Sequence, residues 1–286
     1  MNNVLIFGSG GQLGQALKSV VSLTESSNFE YIFLSKQDSD ITNSILLEDV
    51  FKKHTPKYII NCAAYTQVDL AEDFKEEAHK INVIGAKNLA SLCHKYKCCL
   101  LHISTDFVFQ GNSSNMLNEE DPCNPINYYG LSKLQGEQEI EKLADAYFIL
   151  RTSWLYSEFG NNFMKTMLRL GKEKDRLQVV NDQFGTPTYA VDLAKVLLQI
   201  IETKNQKFGV YHYSNEGAST WYDFAKAIFE YTNNSIEVTP VGSSEFVTKA
   251  NRPSFSVLDK AKIKTNIGLN VPCWRDSLNE CLQKIN

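Results

Sequence analysis

The sequence predicts an α/β protein built on a Rossmann-type, doubly wound parallel sheet, with a smaller, discontinuous α/β lobe. Three observations carry this. Short, continuous apolar runs alternate with helical apolar patterns through the first 200 residues, as buried parallel strands and their crossover helices do. The first run passes into a glycine-rich turn and then a helix. Beyond Gly209 the alternation becomes irregular, which fits a second lobe assembled from separate segments. The expected boundaries are 1-155 for the cofactor half, re-entered at 178-205 and 240-258, with 156-177, 206-239 and 259-286 forming the substrate lobe.

Composition narrows the function classes. The hydrophobic share of 43% supports a substantial core, and a net charge of -4 leaves no basic excess for coating nucleic acid. No apolar run reaches the roughly 18 residues of a membrane span. The N-terminus lacks a basic leader and goes straight into a strand-like run, so a cytoplasmic protein is expected. The seven cysteines are irregularly spaced and read as reduced thiols.

The first unit is Val4-Leu5-Ile6-Phe7, then Gly8-Ser9-Gly10-Gly11-Gln12-Leu13-Gly14, then a helix with Leu13, Ala16, Leu17, Val20 and Val21 at helical spacing. This strand, turn and helix order is the context a dinucleotide site requires. Glycines allow backbone to approach a pyrophosphate, and the helix start offers its N–H groups, so Gly8, Gly11, Gln12 and Leu13 are candidate cofactor contacts. The next strand, Tyr31 to Leu34, ends at Ser35 and Lys36 rather than at an acidic residue. A hydroxyl and a cation accommodate a 2′-phosphate, which favours NADPH, with NADH as the alternative. Asp40 and Ile41 form a candidate lip under the adenine, and Thr42 or Asn43 opens the following helix.

The run Tyr58 to Thr66 is a further strand ending in small residues, which places Ala63, Ala64 and Tyr65 at the sheet crevice. Asn82 lies in the following helix, as a buried amide or as support behind the site. The strand Leu100 to Ser104 leads into Thr105-Asp106-Phe107, and His102 inside it reads as a core residue. Tyr129 and Lys133 stand four residues apart at a helix start, on one helical face. A cation near a phenol favours the phenolate, lowering a pKa ordinarily about 10. A second copy of this spacing occurs at Tyr222 and Lys226. Thr105 precedes Tyr129 by 24 residues and offers a second hydroxyl for a substrate carbonyl. Later, Trp154 is a candidate stacking surface, with a core role as the alternative, and Arg252 is a candidate diphosphate grip or a structural ion-pair partner.

The stretches IFGSGGQLGQ, NCAAYTQVDLAE, ISTDFVFQG, YYGLSKLQGE, RTSWLY, VVNDQFGTPTYA, GVYHYSNEGASTWYDFA and RPSFSVLD together resemble the extended short-chain dehydrogenase/reductase superfamily. Their finer detail is similar to the dTDP-4-dehydrorhamnose reductase family. The resemblance spans nearly the whole chain. It implies NADPH-dependent reduction of a dTDP-linked 4-ketosugar, with Tyr129 as proton donor, Lys133 lowering its pKa and holding the nicotinamide ribose, and Thr105 orienting the carbonyl. It also implies cofactor contact at Ile103 and substrate contacts at Val68, Asp106, Phe107 and Trp154. Tyr222 and Lys226 fall in the segment similar to the family's substrate lobe, beside Trp221, Phe224, Ala225, Ile228 and Phe229 at packing positions. Some members of that family form metal-bridged dimers through carboxylates. Here those neighbourhoods read Gln15 and Ala190-Val191-Asp192, so no metal and a monomer or weak homodimer are expected. The competing readings are a sister reductase of another nucleotide-linked 4-keto-6-deoxysugar, an epimerase or dehydratase of the superfamily, and a non-catalytic subunit resembling the regulatory partner of methionine adenosyltransferase.

Overall fold

The computed structural model describes residues 2–23, 28–112 and 115–285. Among them, the strands of four or more residues are β1 (Asn2–Phe7), β2 (Phe29–Leu34), β3 (Tyr58–Asn61), β4 (Cys99–Thr105), β5 (Tyr147–Thr152), β6 (Arg176–Val180), β7 (Gly209–His212) and β8 (Glu237–Val241). The α-helices of five or more residues are α1 (Gln12–Ser22), α2 (Ser44–His54), α3 (Lys75–His79), α4 (Ala86–Tyr96), α5 (Tyr128–Leu143), α6 (Phe163–Glu173), α7 (Ala190–Glu202), α8 (Trp221–Tyr231) and α9 (Trp274–Gln283). A π-helical stretch, Lys80–Gly85, joins α3 to α4.

Six strands form one sheet in the order β7-β5-β4-β3-β1-β2. Every neighbouring pair in it is parallel. Both faces are covered, which is why β1 reads as an unbroken apolar run. Val4 and Ile6 pack with Leu13 and Leu17 of α1 and Leu197 of α7. Leu5 and Phe7 pack on the other face with Phe51 of α2, Leu89 of α4 and Ile140 of α5. Each such side chain contributes about 1.5–3 kcal/mol by leaving water.

The chain leaves β1 for β2 on one side and returns to β3 on the other. The reversal opens a crevice at the C-terminal ends of β1 and β3, where open α/β sheets bind ligands. Thr105, the last residue of β4, borders it.

One sheet position differs from the sequence-based expectation. The sixth strand is β7, which pairs with β5 from Gly209 opposite Phe148 to His212 opposite Arg151. The run Gln178–Val180, expected to re-enter the sheet, instead belongs to β6, which pairs with β8 outside it. Both are short apolar runs without a local distinction. Long-range packing decides between them: Tyr211 of β7 stacks on Phe148 of β5 at 5.8 Å, with 29° between the rings.

Candidate active site

The glycine turn is shaped by contact. Gly8 has φ +77°, and a Cβ there would lie 2.6 Å from the Ala63 nitrogen. A Cβ at Gly14 would lie 2.5 Å from the Gly8 carbonyl oxygen, so α1 packs directly on the turn. α1 has no side-chain cap and no acidic residue in its first turn, which leaves its leading N–H groups for an anion. Beside it lies a cavity of about 320 Å³ lined by Gly8, Gly11, Ser35, Asp40, Ile41, Ala63 and Ala64, among others. These are seven of the residues expected to meet a cofactor, and a donor-rich, Cβ-free cradle of this kind fits a dinucleotide diphosphate.

Other expected cofactor residues do not line that cavity. Both polar ends of the Gln12 side chain are used elsewhere. Its Nε2 donates to the Leu155 carbonyl at 3.1 Å, and its Oε1 accepts from Ser157 at 3.0 Å and Asn162 at 2.7 Å. Leu13 is buried in the core. The Tyr65 backbone N–H and carbonyl are both bonded by Asn82, at 2.8 and 3.1 Å, and Asn82 also donates to Ser132 at 2.9 Å. Asn82 is therefore a satisfied buried amide that fixes the crevice wall to α5. Ser35 lines the cavity, but its N–H and hydroxyl both donate to Asp38, at 2.8 and 2.7 Å. Asn43, not Thr42, caps α2, accepting from Leu46.

α5 is held against the end of β4 by local chemistry. Asn127 caps it, its Oδ1 accepting from Gly130 at 2.8 Å. A Cβ at Gly130 would collide with the Phe107 carbonyl, and one at Gly136 with the Asn82 carbonyl. This close approach presents Tyr129 and Lys133 to the strand end. Tyr129 is partly enclosed, its ring edge-on to Phe107 at 5.9 Å. Burial pushes its pKa up to about 12; contact with the Thr105 hydroxyl opposes this, and the Asp106 charge adds to it. The expected lowering of the Tyr129 pKa by Lys133 is not seen. Lys133 Nζ is turned away, donating to the Ile103 carbonyl at 2.6 Å and lying 3.2 Å from His102 Nε2. Ile103 thus contributes its carbonyl to the lysine. Burial lowers the Lys133 pKa to about 8, with the Glu137 charge opposing.

Thr105 donates to Asp106 Oδ1 at 3.0 Å and accepts the Phe107 N–H at 3.2 Å. Asp106 is buried, and burial raises its pKa to about 6 against hydrogen bonds from Ser256 and Thr105. The partners that sequence reasoning missed are Asn61 and His102, which bond each other at 3.0 Å behind Lys133. No pattern separates His102 from a core histidine. Its interest comes only from the register that sets β4 beside β3 and under α5.

Trp154 has φ +46°, and its ring stacks on Trp221 at 3.7 Å with 12° between planes. A Cβ at Gly185 would lie 2.6 Å from Trp154 Cε2, so a glycine is what lets the indole lie there. Trp221, expected only to pack, extends this aromatic surface. Val68 lies in the turn before the 3-10 segment Leu70–Glu72. Arg252 is an ion-pair partner: its fork grips Asp69 at 3.1 and 2.7 Å. Tyr222 and Lys226 stand apart on α8, where the exposed ammonium lies over the ring at 5.6 Å. Asp192 is buried: its Oδ2 accepts from Asn215 at 2.9 Å and Ser277 at 2.6 Å, and its Oδ1 pairs with the half-exposed Lys195 at 3.3 Å. Among the described residues, no helix is long and apolar enough to cross a membrane.

Residues 1–286 match the family described as RmlD substrate binding domain. The chain is 40% identical to a dTDP-4-dehydrorhamnose reductase of Aggregatibacter actinomycetemcomitans over 97% of each chain. The solved dTDP-4-dehydrorhamnose reductase of Clostridium acetobutylicum superposes with a TM-score of 0.94 at 41% identity, covering 99% of both chains. That of Bacillus anthracis, solved in complex with NADP, gives a TM-score of 0.94 at 41% identity, covering 99% of this chain and 100% of that one. With the glycine crevice, the Thr105, Tyr129 and Lys133 group and this likeness over full length, the chain belongs to the RmlD substrate-binding-domain family, alongside the dTDP-4-dehydrorhamnose reductases.

Proposed function

We propose that this protein reduces the 4-keto group of dTDP-4-dehydro-β-L-rhamnose to give dTDP-β-L-rhamnose, at the expense of NADPH. The observation that carries the reading is the contact of Tyr129 with Thr105 at the end of β4, with Lys133 one turn along α5 bonded to the same strand. When bound, NADPH supplies the hydride for the carbonyl carbon. The leading N–H groups of α1 hold its diphosphate, Ala63 and Ala64 leave room beside it, and Lys36 near Asp40 favours the 2′-phosphate. Lys133 holds the nicotinamide ribose. Thr105 orients the substrate carbonyl, and Tyr129 gives its proton to the developing alkoxide. A tyrosine that stays protonated well past neutrality suits this direction, because an alkoxide is the stronger base. General acid catalysis of this kind is worth about 10²–10⁴ in rate.

The Trp154 and Trp221 pair offers a ring surface for the sugar or thymine. Asp192, already held by Asn215, Ser277 and Lys195, supports a monomer or weak homodimer without a bridging metal. Use of NADPH and a nucleotide sugar fits the cytoplasm. An intact proton-transfer group favours an enzyme over a regulatory subunit.

The test is incubation with the dTDP-4-keto-L-sugar and NADPH, followed by product NMR. We expect NADPH consumed in step with ketosugar and the rhamno configuration at C4. No oxidation with any ketosugar rejects the reading, and the opposite C4 configuration assigns a sister reductase.

A further inference from the structure

Behind Lys133 lies a buried chain of polar groups that the proposed reaction leaves unused. Asn61 ends β3, His102 lies within β4 opposite Asn61, and both are at most 2% exposed. Asn61 Oδ1 accepts the Ala63 N–H at 3.1 Å. That fixes the amide, because a backbone N–H can only donate. The Asn61 NH₂ group therefore faces His102 Nδ1, at 3.0 Å, and donates to it. Burial holds the His102 pKa well below its ordinary value, and a ring that accepts at Nδ1 is neutral. A neutral imidazole that accepts at Nδ1 carries its one proton on Nε2. Nε2 lies 3.2 Å from Lys133 Nζ. An ammonium there would set two donors against each other, whereas an amine accepts the Nε2–H and still donates to the Ile103 carbonyl at 2.6 Å.

The geometry points to Asn61 and His102 as positioning residues of Lys133: Asn61 fixes the Nε2–H tautomer of His102, and that N–H favours the amine form of Lys133 by giving Nζ a donor to accept from. Loss of the Lys133 charge above its midpoint then weakens its hold on the nicotinamide ribose. Other groups facing the pair do not remove the conflict. On α5, Glu137 favours the charged lysine, but its carboxylate is bound by Arg151 of β5 at 2.7 Å. Tyr129 is neutral, and Asp106 at the end of β4 acts on Tyr129. The consequence for cofactor binding rests on the proposed role of Lys133; the tautomer does not, so the two fail separately.

Two-bond 1H–15N correlation on protein labelled at its five histidines reads the tautomer directly. His212 is an internal control of the opposite kind, since its Nδ1 lies 3.0 Å from the Leu117 carbonyl and must donate. His102→Gln assigns the His102 signals; should it not fold, substitution of His54, His79 and His94 in turn assigns them by elimination. We expect an Nε2–H, Nδ1-accepting ring for His102 at pH 7, and loss of that preference in Asn61→Ala. An Nδ1–H tautomer or an imidazolium at pH 7 overturns the proposal. A second readout is the pH dependence of the NADP⁺ dissociation constant. In His102→Gln the amide carbonyl can accept from an ammonium, so the Lys133 midpoint rises by about one pH unit. An unmoved midpoint in a folded His102→Gln variant also overturns it.

Discussion

Asp106 is the charge nearest the proton that Tyr129 must give up. While Asp106 is ionised it opposes a phenolate beside it and holds the Thr105 hydroxyl. Its pKa, raised to about 6 by burial, means that it becomes neutral as pH falls through that value. Turnover of bound substrate is therefore expected to rise as pH falls through about 6, and Asp106→Asn should remove the inflection. The kcat–pH profiles of the two proteins check this. Because the folded-state value lies above the unfolded value of about 3.9, this group adds stability as pH falls from about 6 towards 4. Asp106→Asn should flatten that part of the stability curve too. The Tyr129 and Lys133 spacing was legible in the sequence, and the family resemblance implied this copy over Tyr222 and Lys226. The direction of the Tyr129 pKa shift was not. Spacing brings a lysine to the right face of α5, but the Ile103 carbonyl and His102 decide where Nζ points.

The strand, glycine turn and helix at the N-terminus were readable because Gly8 and Gly14 answer local steric demands. Gly10 and Gly14 look alike in sequence, yet nothing lies within 4 Å of a Cβ at Gly10, whereas one at Gly14 would meet the backbone of Gly8 and Ser9. Gly14→Ala should cost about 1–3 kcal/mol by overpacking, and Gly10→Ala about 0.5 kcal/mol or less. Chemical denaturation of both variants distinguishes them. The loop after β2 was read as a site for a 2′-phosphate, but the turn that ties Ser35 to Asp38 could not be seen there. Asp38 occupies the donors that the phosphate would use. Asp38→Ala should therefore tighten NADP⁺ relative to NAD⁺ by roughly 3- to 5-fold, the scale of an exposed charge contact. Titration calorimetry with both nucleotides measures the ratio.

The sheet, its neighbours and the site act as one body through a few buried polar links. Arg151 of β5 meets Glu137 of α5 at 2.7 Å, and both side chains are almost fully buried. Arg151→Leu leaves the carboxylate without its partner and should cost about 3–5 kcal/mol in urea unfolding. The Gln12 side chain joins the start of α1 to Leu155, Ser157 and Asn162, a link that its place in the glycine turn does not show. Strand order was the least legible feature. The run at Gln178 and the run at Val210 carry equivalent local signals, and only packing against Phe148 separates them. Tyr129 is the proton donor on which the proposed reaction depends. Single-turnover oxidation of bound NADPH by the dTDP-4-keto-L-sugar tests it most directly, in the wild type, Tyr129→Phe and Tyr222→Phe. The expected result is a rate lowered at least about 10²-fold in Tyr129→Phe, with NADPH affinity retained and Tyr222→Phe unchanged. A wild-type rate in Tyr129→Phe would contradict it.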